Sequence, residues 1–305
     1  MLIKFIDFLL HKLWTKPIKK LSKLKRFYYK SLKVFWISIH HFFKHQITLR
    51  ASSLTYFSLM AIVPFFALIF AIAKKIGDPK VIEAELLDRF KEQKEIVTKI
   101  IEFAQNLIVE AKGGIIALVG IIFLFWSLIK LFSNLESSLN EIWQVKKPRK
   151  IKRRLSNYLA LMFVIPVFLV VFISLRMYIT RLIAKDILIE FIFRFPLSLV
   201  PYVLILSLFT FIYVFMPKVK VKIKYAFFSA ILSSAIYQIV QIIYVNFQTG
   251  ITKFNAIYGS FAALPLFLIW LQISWLIFLY GAEMCFAIQN VDKIKIKDLE
   301  SQSKA

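Results

Sequence analysis

Six stretches of this chain are long and apolar enough to cross a lipid bilayer, and lysines and arginines fill the gaps between them. Crossing about 30 Å of hydrocarbon takes roughly 20 apolar residues in a helix. The segments at about 52–73, 114–132, 155–179, 197–217, 225–247 and 259–287 meet that length. Backbone surrounded by lipid must satisfy its hydrogen bonds internally, so such segments fold as helices. The last is long enough to tilt or bend. The predicted fold is therefore all-α: a polytopic membrane protein with six transmembrane helices. The hydrophobic fraction of 59% agrees, since a soluble domain sits nearer about half.

The basic residues set the orientation. Segments 1–50, 133–154, 218–224 and 288–305 carry 27 Lys and Arg, while 74–113, 180–196 and 248–258 carry 12. In 74–113 the 8 basic residues are matched by 8 acidic ones. Cytoplasmic loops are the richer in Lys and Arg, so both termini are expected in the cytoplasm. A net charge of +24 would point a soluble chain toward nucleic acid. Its distribution around spans points to a membrane surface instead, and no nucleic-acid partner is expected. Cys285 is the only cysteine, which excludes an intrachain disulfide. The N-terminus has no cleavable signal pattern, so the first span is expected to act as its own insertion signal.

Three units follow. Residues 1–49 form basic amphipathic helices, 1–14 and 18–47, on either side of Pro17. They are expected at the cytoplasmic interface, where each basic residue near an anionic leaflet contributes about 1 kcal/mol. Plain positive-inside anchoring accounts for the same charges and is the preferred reading over specific leaflet binding. Residues 50–290 form the six-span domain, and 291–305 a cytoplasmic tail. Within the domain, 80–112 mixes both charges with apolar residues at helical spacing, between Gly77–Pro79 and Gly113–Gly114. It reads as one or two external amphipathic helices, either a cap on the spans or a solvated hairpin. Polar residues in KLFSNLESSLNEIW extend the second span's helix into the cytoplasm. KVKVKIK at 218–224 alternates like a strand but need only be a tight link.

Polar groups inside spans are few, and such groups face a partner or a cavity. Glu283 and Gln272 lie on one face of the last span. Ser234, Gln238, Gln241, Tyr244 and Gln248 form a stripe on the fifth. The functional reading is a substrate pathway lined by Glu283, Gln272, Gln238, Gln241 and Tyr244. The structural reading is a set of interhelical hydrogen bonds, with Glu283 paired to a basic residue such as Lys130. Arg176 would snorkel. Ser229 with Ser233, and Ala230 with Ser234, permit close helix packing. Prolines at 64, 166, 201 and 265 hint at a three-plus-three inverted repeat.

Catalytic constellations are missing. All four histidines, His11, His40, His41 and His45, precede the first span. His41 and His45 could share a metal by spacing, but no carboxylate stands near them in sequence and Lys44 intervenes, so no metal site is expected. No nucleophile elbow, phosphate-binding glycine loop or HExxH is present. Neither a cofactor nor an enzymatic activity is expected.

RASSLTYFSLMAIVPFF at 50–66, NLESSLNEIW at 134–143 and YGSFAALPLFLIWLQISWLIFLYGAE at 258–283 together resemble the YihY/BrkB family of bacterial inner-membrane proteins. The resemblance covers roughly 35–290 and implies an all-helical inner-membrane protein without a settled activity. The motif positions it carries over are Arg50, Ser53, Tyr56, Pro64, Asn134, Asn140, Trp143, Tyr258, Gly259, Pro265 and Glu283. An older family label, ribonuclease BN, fits poorly with a sequence lacking the metal-binding clusters of a metal-dependent nuclease. Members have been suspected of moving lipids or lipid-linked envelope precursors. The expectation is a transporter or flippase-like protein for an amphiphilic envelope molecule, with membrane lipids as partners at a basic cytoplasmic face. The alternative is a non-catalytic scaffold for envelope or division proteins. A homo-oligomer is compatible with either.

Overall fold

A computed structural model describes residues 22–76, 78–89, 94–110, 115–145, 151–183, 187–252 and 263–294. Among these the chain is helical, with no strand. The helices are α1 Lys23–Lys44, α2 Ile47–Ile76, α3 Pro79–Arg89, α4 Lys94–Glu110, α5 Ile115–Ile142, α6 Ile151–Ile183, α7 Ile187–Phe215, α8 Ile223–Thr252 and α9 Ala263–Asn290. Four stretches within them are long and apolar enough to cross a membrane: Ile47–Lys75, Leu155–Thr180, Ile223–Phe247 and Leu264–Asn290. Leu199–Phe215 is a shorter apolar helix. The remaining expected span falls on α5, whose described part carries Lys130, Asn134 and Glu136.

One core joins α2, α5, α6, α7, α8 and α9, through buried residues such as Leu54, Leu139, Met162, Tyr213, Ala230 and Leu279. Lipid would face the residues left outside it, including Phe163, Leu175, Phe228, Ile239 and Ile243. Antiparallel packing of α8 on α9 is fixed at three heights. Lys222 N donates to Gln289 Oε1 at 2.9 Å, Ser229 Oγ donates to Gly281 O, and Tyr244 OH donates to Leu266 O at 2.6 Å. The small residues that the sequence singles out on α8 therefore serve close packing.

In the first half, α2 packs on both α5 and α6; in the second, α8 packs on both α7 and α9, while α7 and α9 barely meet. An inverted repeat would pair α2 with α7 and α5 with α8. The hubs do not correspond in that way, so the proline pattern has no counterpart in the packing.

Within 80–112 the described helices α3 and α4 form a cap. Ile82 of α3 and Val97, Ile101 and Ala104 of α4 bury against Ala67, Phe70 and Ala73 of α2 and Val170 of α6. The α5 extension is helical to Ile142, as read, but it is packed inward: Glu136, Ser138 and Leu139 are buried. Residues 216–222 are a bent link, not a strand. The helix α1 docks on the bundle rather than only lying on a leaflet. Ile37 packs against Ala287 and Val291 of the α9 end, and Lys30 Nζ meets Asp292 Oδ2 at 2.5 Å. The 1–14 helix lies outside the described residues.

Candidate functional site

Two polar sites stand out, one at each end of the bundle. The first lies where α1 turns into α2. His45 caps α1, and Gln46 takes a left-handed φ of 49° that redirects the chain into α2. This turn carries His41 and His45 onto α9. His45 Nδ1 is hydrogen-bonded to Glu283 Oε1 at 2.6 Å. His41 Nδ1 lies 3.7 Å from Glu283 Oε2. All three side chains are buried, Glu283 completely. Both His41 nitrogens and Glu283 Oε2 have no hydrogen-bond partner among the described residues. Burial pushes the His45 imidazole down to about 4; Lys44 and Arg50 act in the same direction and Glu141 against them. Glu283 thus pairs with His45 and not with Lys130, whose ammonium lies over the Trp126 ring. The three donors could hold a metal ion, since one ligand atom from each lies within 4.8 Å of the others. Sequence reading missed the cluster because its carboxylate is 238 residues from its imidazole.

Most of the family-motif positions gather around this site. Arg50 Nε donates to His45 O at 2.9 Å, and its Nη2 lies 3.5 Å from Glu141 Oε2. Ser53 Oγ donates to Asn134 Oδ1 at 3.4 Å. Asn140 Oδ1 accepts from Lys218 N at 2.8 Å, tying α5 to the α7–α8 link. Trp143 meets Phe286 edge-on, with centroids 5.5 Å apart. One turn deeper, Tyr158 OH donates to Glu136 Oε2 at 2.5 Å, a buried pair that the sequence reading did not single out. Pro64 is buried inside α2, Tyr56 is exposed, and Pro265 sits in the first turn of α9. Proline is tolerated there because that N–H lacks a helical partner. Tyr258 and Gly259 lie outside the described residues.

The expected pathway residues do not form one stripe. Gln272, on α9, is tied to α2: its Oε1 accepts from Thr55 Oγ1 at 2.9 Å, and its Nε2 donates to Ser52 Oγ at 3.0 Å. Tyr244 is bonded to the α9 backbone. Gln238 and Gln241 line a groove of about 370 Å³ at the other end, with Glu85, Asp88, Arg176 and Asn246. Gln241 Oε1 is buried there without a partner among the described residues. Arg176, expected to snorkel, is instead ion-paired to Glu85 of the cap. A second cavity of about 240 Å³ lies between α6 and α7, lined by Val164, Ile165, Phe168, Ser207, Leu208 and Phe211. Here α6 and α7 meet along a much thinner contact than α7 and α8.

An all-helical bundle with several apolar spans, capped by amphipathic helices and holding these polar sites, is an integral membrane protein. The chain belongs to the Virulence factor BrkB family, whose family model matches residues 38–305. Similar proteins carry the name UPF0761 membrane protein. One from Aliivibrio fischeri is 25% identical over 272 residues, covering 85% of this chain and 86% of its own. One from Vibrio vulnificus is 28% identical over 250 residues, covering 80% and 78%. A third, from Chlorobium limicola, is 27% identical over 278 residues, covering 89% of this chain and 61% of its own. No solved structure matches the chain.

Proposed function

We propose that this protein is a flippase-like transporter of an amphiphilic envelope molecule. It acts in the bacterial inner membrane, with six spans and both termini cytoplasmic. The observation that carries the reading is an apolar cavity between α6 and α7 with a polar groove further along the same two helices, walled by α8 and α3 and reached by Arg176 of α6 and Pro201 of α7. Ile165 and Arg176 are close to three helical turns apart, hence on one face of α6 and separated by about 16 Å. Pro201, which also lines the polar groove, and Leu208 are close to two turns apart on α7. The apolar cavity and the polar groove therefore succeed one another along α6 and α7, with α8 and α3 supplying the rest of the groove's wall. That is the layout an amphiphile requires: a wall of Phe and Leu for a chain, and Arg176, Gln238 and Gln241 for a headgroup. The guanidinium has five donors, so engagement with Glu85 leaves capacity for an anionic headgroup. The positive-inside rule assigns the groove to the outer half of the membrane.

The scaffold alternative draws support from α1, whose outward face exposes Leu24, Phe27 and Phe43. Reconstitution separates the two. In proteoliposomes containing fluorescent anionic or zwitterionic lipids, the wild-type chain should move lipid faster than empty vesicles. Arg176→Gln and Gln241→Leu should each slow that movement by about tenfold, the effect of removing one charge-assisted or buried hydrogen bond. Folded protein that moves no lipid above empty vesicles would turn the weight to a scaffold.

A further inference from the structure

We propose that His41, His45 and Glu283 form a binding site for a divalent first-row transition-metal ion, which fastens α1 to α9. One ring nitrogen from each histidine and one carboxylate oxygen come within 4.8 Å of one another. The histidines are four residues apart, so the last turn of α1 presents both on one side. The carboxylate comes from a different helix, and all three groups are buried. Two of them remain polar and unsatisfied: Glu283 Oε2 and both His41 nitrogens lack hydrogen-bond partners among the described residues. Buried polar groups normally have partners, and a cation would supply one for Glu283 Oε2 and for one of the His41 nitrogens.

The spacing suits such an ion. Tetrahedral ligands about 2.0–2.2 Å from zinc lie roughly 3.3–3.5 Å from one another. His41 Nδ1 and Glu283 Oε2, at 3.7 Å, are already near that separation. His45 Nδ1 lies against the other oxygen, Glu283 Oε1, at 2.6 Å, so the carboxylate faces both imidazoles. Imidazole with carboxylate is a donor set for zinc and its neighbours rather than for calcium or magnesium. The nearest guanidinium, that of Arg50, is engaged by His45 O and Glu141. Phe286 packs on His41 and Trp143 on Phe286, so the site is walled by aromatics. Three protein ligands leave a fourth position, but a sealed pocket gives substrates no access. The role is structural: the ion pins the basic N-terminal helix to the last helix of the bundle.

The test uses the full chain, purified in detergent with any tag removed and stripped by a chelator. Zinc is titrated against a chromophoric competitor, and Co²⁺ is added as a spectroscopic probe. The expected result is one tight equivalent, ligand-field absorption from bound Co²⁺, and a zinc-dependent rise in unfolding temperature. Glu283→Gln and His41→Gln should each weaken binding by at least about 100-fold, the upper range for perturbing even the partners of metal ligands. His11→Gln should leave binding unchanged. Folded wild-type protein that takes up no stoichiometric zinc would overturn the proposal, as would binding that survives both ligand substitutions or disappears with His11. The wild-type Co²⁺ spectrum and thermal shift decide the matter even if a variant fails to fold.

Discussion

Gly281 sets how closely α8 and α9 approach. A Cβ at this position would fall against the Tyr213 hydroxyl and Ser233 Oγ, and 2.7 Å from Ser233 Cβ. Ser229 hydrogen-bonds to the Gly281 carbonyl, and Tyr213 OH donates to Phe278 O at 2.7 Å. Nothing around this point can yield easily, since Ser229, Ser233 and Tyr213 are all buried. Gly281→Ala should therefore destabilise the protein by about 1–3 kcal/mol, the usual cost of overpacking. Thermal unfolding in detergent checks this, and an unchanged midpoint would contradict the close approach. The serines were legible in sequence because small residues four apart are a local pattern. Gly281 was not singled out, because its importance lies in what another helix places opposite it. The same holds for Glu283. Its burial in an apolar segment signalled a partner, but local reasoning offered Lys130 and could not reach across to His45.

The helices themselves were legible, and their ends less so. Apolar runs located the four helices long and apolar enough to cross a membrane, and mixed charge located the helices α3 and α4 but not whether they form a cap. How α5 ends depended on backbone geometry. Gln144 takes a left-handed φ of 52°, its N–H donates to Glu141 O at 2.8 Å, and Val145 N donates to Asn140 O at 2.8 Å. These are the paired bonds of a Schellman cap, whose left-handed residue is ordinarily glycine. Gln144→Gly should stabilise the fold by about 1 kcal/mol, by relieving the left-handed penalty. Gln144→Val should lower stability, because a branched side chain resists that φ. Unfolding midpoints of the two variants should move in opposite directions. No sequence signal pointed to this cap, since glutamine is not a turn residue by type. The docking of α1 was half legible: its amphipathic pattern promised an apolar face, but a leaflet and a neighbouring helix satisfy such a face equally well.

Across the whole molecule, length and hydropathy conveyed a membrane bundle, and the positive-inside rule supplied its expected orientation. The arrangement of hubs was beyond them, because which apolar helix packs on which depends on shape rather than on composition. So was the α6–α7 seam. Its lining residues, Ile165, Phe168, Leu208 and Phe211, look like ordinary span residues. Only Gln238 and Gln241 marked the polar groove in advance, as amides that a span has reason to keep from lipid. If an amphiphile passes along this seam, α6 and α7 must be able to part there. The decisive measurement is lipid movement in proteoliposomes by Ile165→Cys/Ser207→Cys protein, made in a Cys285→Ala background and bridged with a reducible thiol crosslinker. Crosslinking should abolish movement and reduction should restore it. Lipid movement that continues unchanged with the two helices joined would contradict the proposed route.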